Sequence, residues 1–284
     1  MEKKVINTIL ETIVPGQEAK DAEIYFEALS MSSLEEMHAY SINEKLYEFF
    51  EFDAFKTIDD TRRYLKELFK RMHDHGEGRK ACYWFVRRKS DNRLIGTGTI
   101  VNINYARKSL EWGYAVDPEL WGTGYILSIQ ELLKEYIFDV LNFNRIYGQT
   151  MTTNKRTISS LLACGMIKEG ILRDFYCKKG VFIDGWSYSM LQEDYLKSLK
   201  TNNNLNNQIT IKGIIKIIST VLEDDQINEK STMYNTTNWD SLNQMSIMVA
   251  LFEKTKIKLT PIQISNATSV EVIEQLLNGK MVTE

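Results

Sequence analysis

The apolar positions fall into two regimes along this chain. From Ala22 to Leu191, runs that alternate apolar and polar residues take turns with runs of helical period; from Ile211 onward only the helical period is left. Alternation sends successive side chains to opposite faces of a strand, whereas apolar residues three and four apart share one helix face. On that rule AEIYFEAL, CYWFVRR, RLIGTGTIV, LEWGYAV, RIYGQT and FIDGWSYSML are predicted strands, the second and third joined by a Ser-Asp-Asn turn. Helices are predicted at the N-terminus (MEKKVINTILETIVPG), in SLEEMHAYSI behind a Ser32 or Ser33 cap, and from Asp59 or Asp60 through Leu68. Two more follow: one with apolar residues at 126, 129, 133, 136, 137 and 140, and a short one after Asn154 closed by Gly165. In LEWGYAV, Leu110, Trp112, Tyr114 and Val116 share one face, and Glu111, Gly113 and Ala115 the other.

The regimes meet at TNNNLNNQ, an Asn-rich stretch with no apolar period, which reads as a linker. The expected division is 1–198, a linker at 199–207, and 208–284. In the last part Ile211, Ile214, Ile215, Ile218, Val221 and Leu222 form one helix face, Leu242, Met245, Val249 and Phe252 a second, and Val270, Ile273 and Leu276 or Leu277 a third. Three main helices with long loops predict a small bundle.

Composition narrows the classes. A chain of 284 residues suggests two domains at about 150 residues each. With 3 prolines and 15 glycines it is neither collagen-like nor disordered. No apolar run reaches the roughly 18 residues of a membrane span, and Asn7, Thr8, Glu11 and Thr12 interrupt the N-terminal segment, so the cytoplasm is the expected location. The net charge of −3, with both signs interspersed, argues against a nucleic-acid partner. Cys82, Cys164 and Cys177 lack metal-ligand spacing and read as reduced, packed thiols. His73 and His75, in HDHGEG, read as a solvated loop rather than a metal pair, so no metal site is expected.

Two places carry candidate chemistry. After Asp117-Pro118 comes WGTGYI, a glycine loop that runs straight into a helix. Strand, glycine loop and helix N-terminus together suit a phosphate, because loop N–H groups and the helix dipole both favour an anion. The second place is Asp240-Ser241-Leu242 at the start of a helix. Capping alone accounts for it: Asp240 caps, or Ser241 caps with Gln244 as its box partner.

The order of elements, with PELWGTGY, the Asn-x-x-Thr at Asn154 and GMIKEGILRDFY, resembles the GNAT acyltransferase superfamily. It is most similar to the branch that acetylates ribosomal-protein N-termini and nucleotide-sugar amines. The resemblance spans roughly Asp21 to Leu196. It implies an α+β fold, a mixed and mostly antiparallel sheet that splays open after LEWGYAV, with acyl-CoA or acetyl-CoA in the opening. It further implies that the pantetheine arm bonds to the backbone from Tyr114 to Val116. The pyrophosphate would sit on the amides of Trp121, Gly122, Thr123, Gly124, Tyr125 and Ile126, and Asn154 would contact the arm. Trp121 and Ile126 depart from the superfamily loop, and β-branched Ile126 crowds the pyrophosphate. Glu111 matches the family's general base and equally suits an ordinary strand-surface glutamate; Tyr147 and Tyr176 are both candidates for the general acid. By family analogy residues 41–78 cover the acceptor pocket, where YEFFEFDAF suits a cationic or sugar substrate, or a core edge.

The last part resembles an acyl carrier protein: Asp240-Ser241-Leu242 opens the second helix, and EKTKIKLTPIQISNATSVEVIEQLL is similar to the carrier's closing half. The resemblance implies an all-α carrier bundle with 4′-phosphopantetheine on Ser241. Its partners would be a phosphopantetheinyl transferase and an acyl-loading enzyme. Helix acids are lacking until Glu253, as suits a carrier tethered to its own transferase. The expected activity is acyl transfer from a pantetheine thioester to a small-molecule amine, for instance an amino sugar. The alternatives are loading of acyl-CoA onto the carrier thiol, or CoA-dependent N-acetylation beside an unmodified helical docking module. A homodimer is a family-level expectation.

Overall fold

The computed structural model describes residues 3–17, 19, 22–72, 78–203, 209–255, 257 and 259–278. The elements run α1 (Lys3–Thr12), β1 (Ile24–Ala28), α2 (Leu34–Ser41), α3 (Ile58–Met72), β2 (Ala81–Arg88), β3 (Leu94–Asn104) and β4 (Ser109–Val116). There follow α4 (Tyr125–Glu135), β5 (Arg145–Met151), α5 (Lys155–Ala163), β6 (Ile167–Lys178), β7 (Val181–Leu191) and α6 (Gln192–Asn203). The C-terminal unit holds α7 (Ile211–Leu222), α8 (Ser241–Thr255), α9 (Pro261–Asn266) and α10 (Val270–Leu277). His73 and His75 lie outside the described residues.

Seven strands form one sheet in the order β1-β2-β3-β4-β5-β7-β6. All neighbours are antiparallel except β4 and β5. The alternation in β2 shows how both faces are covered. Cys82, Trp84 and Val86 join the cluster under α1 and α4, while Phe85 joins the cluster under α2 and α3. The mixed sheet with flanking helices is the expected architecture. Strand β6, which has few apolar alternations and is half exposed along its length, was not among the predicted strands; its partner β7 supplies the pairing that its own pattern does not.

Several local expectations need correction. Ser33 makes no side-chain cap for α2; Ser30 caps the short 3-10 turn before it. Helix α3 starts at Ile58 and runs to Met72, because Thr57 and Asp60 exchange backbone hydrogen bonds ahead of the predicted start. After α4 the backbone takes a π turn (Tyr136–Val140), Leu141 N–H reaching Tyr136 O at 2.9 Å. The extra residue shifts the face, so that Phe138 and Leu141 are buried and Val140 is not. Residues 199–203 of the expected linker are the last turn of α6, and residues 204–208 lie outside the described set.

The C-terminal unit has its own core, around Ile214, Ile218, Ile247, Leu251, Val270 and Ile273. Among the described residues it contains the three expected main helices and a short fourth, α9, opened by a Thr260–Gln263 capping box. The buried face of α8 is also not the predicted one. Met245, Met248 and Leu251 point inward with Gln244, whereas Leu242, Val249 and Phe252 are half-buried. The cause is polar: the Gln244 side chain accepts the Trp239 indole N–H at 2.6 Å and donates to Ile264 O and Ala267 O. This network rotates the helix around a satisfied buried amide. Among the described residues no helix is long and apolar enough to cross a membrane, and no cluster could hold a metal ion.

Candidate functional site: a forked sheet and a glycine loop

The parallel pairing of β4 and β5 lasts only from Ser109 to Glu111, opposite Arg145 to Tyr147. Beyond that point the strands part. Asp117 N–H donates to Ile95 O, so by antiparallel alternation the backbone groups of Trp112, Tyr114 and Val116 face away from β3, into the fork. A cavity of about 200 Å³ fills it, lined among others by Trp112 to Val116, Gly148 to Met151 and Tyr176. The indole N–H of Trp112 is buried in this wall and has no partner among the described residues. Tyr114 extends into the core, where its hydroxyl receives a bond from Gln130 at 2.7 Å and pairs with Ser160 at 3.0 Å. Its ring is therefore an anchor, and its backbone is the part that faces the fork.

The glycine loop closes the wide end. Gly122 and Gly124 take φ of +81° and +89°, conformations that side chains disfavour. Thr123 folds back on Leu120 O through its hydroxyl, at 2.6 Å. Leu127 N–H bonds Gly124 O, but the N–H groups of Gly122, Gly124, Tyr125 and Ile126 have no partner among the described residues. Four open amides at an uncapped helix start can receive an anion. Of the expected amides, those of Trp121 and Thr123 are taken, by Pro118 O at 3.3 Å and Leu120 O at 3.4 Å. Trp121 also acts through its side chain. Its indole N–H donates to Val116 O at 2.9 Å, and the Arg156 guanidinium lies 3.9 Å over its ring. Trp121 thus ties the loop to β4 and takes up the Val116 carbonyl, leaving the Val116 N–H at the fork. Ile126 lines the cavity, as does Asn154, which caps α5 through its Oδ1 while its side-chain nitrogen has no partner among the described residues.

At the narrow end stands Glu111, half-buried, with Asn102 donating to its Oε2 at 2.7 Å. Burial raises its carboxyl above the usual carboxylate range, and the Asn102 bond opposes the rise. Both candidate tyrosines feel its charge: burial and Glu111 raise the phenols of Tyr147 and Tyr176. Of the two, Tyr176 lines the cavity. The opposite wall is a loop that the β6–β7 hairpin holds down. Lys178 donates to Tyr47 O and Phe50 O, both at 2.6 Å, and Glu51 accepts the Cys177 N–H at 2.8 Å. The YEFFEFDAF run forms the expected core edge and also borders the cavity. Tyr47, Phe50, Phe52 and Phe55 pack on one another and on Tyr64, while Phe49 and Phe50 line the cavity. Arg156, lining the same cavity, was missed in the sequence; its stacking on Trp121 has no motif.

Cys82 and Cys164 are buried, their thiols pushed up to about 11 and about 12 by desolvation, as packed thiols should be; Cys177 is exposed. At the start of α8 it is Asp240 that caps, its Oδ1 accepting Leu242 and Asn243 N–H at 3.0 and 2.9 Å. Gln244 is occupied elsewhere, so the Ser241–Gln244 capping box does not form. Ser241 is exposed, its hydroxyl outside the cap, and it lies against the glycine loop: a Cβ on Gly122 would stand 3.1 Å from Ser241 Cβ.

Similarity to known proteins fits this geometry. The chain is 26% identical over 62% of its length to the spermidine N(1)-acetyltransferase of Vibrio cholerae, covering 97% of that protein. It is 29% identical, over 62% of its length and 97% of the relative, to a probable N-acetyltransferase, YjcK, of Bacillus subtilis. Its fold matches the crystal structure of spermidine N-acetyltransferase from Vibrio cholerae in complex with CoA and spermine, with a TM-score of 0.52 at 22% identity over 61% of this chain and 98% of that one. Residues 23–167, just over half of the chain, match the acetyltransferase (GNAT) domain family. The chain belongs to that family, and it is a GNAT-type N-acetyltransferase.

Proposed function

We propose that the chain moves an acetyl group from acetyl-CoA to a primary amine of a small polycation of the polyamine class. One observation carries the reading: the open edge of β4 leads from the free amides of the glycine loop to Glu111 and Tyr176. When bound, acetyl-CoA supplies an activated acetyl thioester. The amides of Gly122, Gly124, Tyr125 and Ile126 hold its diphosphate, and Trp112, Tyr114 and the Val116 N–H hold its arm, with the Asn154 amide beside them. A backbone N–H of the open edge steadies the oxyanion as the amine nitrogen bonds the carbonyl carbon. Glu111, directly or through a water, takes the amine's proton; Tyr176, kept protonated by its raised phenol, gives one to the departing thiolate. Glu48 and Glu51 flank the cavity-lining aromatics and suit a multiply charged acceptor better than a singly charged amino sugar.

The test is acetyl transfer to spermidine and to amino sugars, with kcat/KM followed against pH. Wild type should prefer the polyamine and show an acid limb, rising as Glu111 ionises at a value above the ordinary carboxylate range. Absence of transfer to any polyamine would overturn the acceptor assignment. The same raised carboxyl means that the folded chain holds the proton longer than the unfolded one. Stability therefore falls as pH rises through that window, and Glu111→Gln removes the slope.

A second reading concerns the C-terminal unit, which lies beyond the family match. The exposed Ser241 hydroxyl, spared from capping by Asp240, favours a carrier. On this reading a phosphopantetheinyl transferase attaches 4′-phosphopantetheine to Ser241, and an acyl-loading enzyme charges the arm. Intact mass after co-expression with such a transferase, wild type against Ser241→Ala, decides it. A gain of one phosphopantetheine that the variant loses supports the carrier; no gain, with a control carrier modified, leaves a docking module.

A further inference from the structure

The C-terminal unit does not merely follow the transferase; it sits on the glycine loop. Ser241 covers Gly122 so closely that a Cβ there would meet Ser241 Cβ at 3.1 Å and Ser241 O at 3.2 Å. Behind this contact runs an apolar seam. Helix α8 packs along α5, and α9 meets α4. Leu127, in the first turn of α4, is packed into the core of the helical unit rather than that of the sheet. Ala163 shares an apolar cavity with Met248, Val249 and Phe252. The seam therefore begins one residue after the last open amide, Ile126, and holds α8 in place over the loop.

We propose that the helical unit is a cap on the donor loop, which discriminates between donors by what lies beyond the phosphate next to pantetheine. The proposal rests on the reading of the loop as the site of the donor's phosphates. A pantetheine phosphate can reach the amides from the fork side. With the diphosphate on the loop amides, the adenosine of CoA would extend beyond Gly122, toward ground that Ser241 and the start of α8 occupy. Free CoA then binds only the fraction of molecules in which the cap has lifted, and its apparent affinity falls by that fraction. A donor that stops at its phosphate is indifferent to the cap. A phosphate esterified to Ser241 would start at the loop itself, so that the same contact that disfavours CoA would place a tethered arm at the mouth of the fork.

The experiment is a calorimetric titration of the full chain with CoA and with free 4′-phosphopantetheine. Wild type is compared with Leu127→Lys and Phe252→Lys, which put an ammonium into the seam from either side without touching the loop amides. Thermal unfolding of each variant checks that the transferase core is intact. In wild type, phosphopantetheine should bind at least as tightly as CoA. In both variants CoA should gain about tenfold or more, as expected for a cap that is closed nine times in ten, while phosphopantetheine stays within about threefold. CoA affinity that is equal in wild type and variants overturns the cap and leaves the donor site standing. An equal gain for both ligands also overturns it, because the seam would then act on the whole site. If neither ligand binds any form, the donor-site reading falls and the cap with it.

Discussion

Helices α4 and α8 start on facing sides of one contact, and they start in opposite ways. Helix α8 is closed: Asp240 takes two of its first N–H groups, and Gln244 locks the first turn to Trp239 and to two carbonyls of the α9 region. Helix α4 begins at Tyr125 behind Gly124, which makes no side-chain cap, and the N–H groups of Gly122, Gly124, Tyr125 and Ile126 have no partner among the described residues. A structural helix start is satisfied from within, at a gain of about 0.5–2 kcal/mol for a good cap. One left open next to a cavity keeps its donors for something that arrives from outside. The difference separates the half of the contact that builds the fold from the half that binds.

The largest effect should appear where the open start leads. Glu111→Gln is expected to lower kcat by about 10²–10⁴-fold and abolish the acid limb of the pH profile, with the donor KM little changed. A profile identical to wild type would make Glu111 an ordinary strand residue. Next comes the loop itself. Gly124→Val forces a β-branched residue to φ near +89° and fills the space before the amides. The donor KM should rise about 10–100-fold, the cost of lost hydrogen bonds to a charged group. An unchanged KM would show that the open amides serve no anion.

The closed side should answer first in stability. Gln244→Leu leaves the Trp239 indole N–H and the Ala267 carbonyl without partners among the described residues and removes one of two bonds to Ile264 O, at about 1–3 kcal/mol. Chemical denaturation should show the loss in the transition of the helical unit. Smallest is Asp240→Ala, worth about 0.5–2 kcal/mol in the same transition; no loss there would mean that Asp240 does not close the helix start.

Local pattern made much of this legible. The strands β1 to β5 and β7, the glycine loop before α4, the Gly165 stop and the face of α10 all follow from alternation, period and caps that lie within a few residues of one another. What stayed hidden depends on partners distant in sequence. Strand β6 exists because β7 pairs with it. Nothing in the pattern around Trp121 refers to Val116 O, which takes its indole N–H, or to Arg156, which lies over its ring. The choice of Tyr176 over Tyr147 needed the bend of the hairpin, and the true face of α8 needed the Trp239–Gln244 bond. The sequence holds no trace of Ser241 resting on Gly122, since nothing in either segment's period refers to the other.

The clamp made by Lys178 and Glu51 has a consequence for how the molecule comes into being. The wall opposite the glycine loop joins residues 47–51 to residues 177–178. During synthesis the first of these segments leaves the ribosome long before the second exists. The early sheet can form while that wall is still an unsupported flap, which is held only when the hairpin arrives and the Lys178 ammonium reaches the two carbonyls. A growing chain can thus hold β4 and the glycine loop before the wall that faces them is fixed.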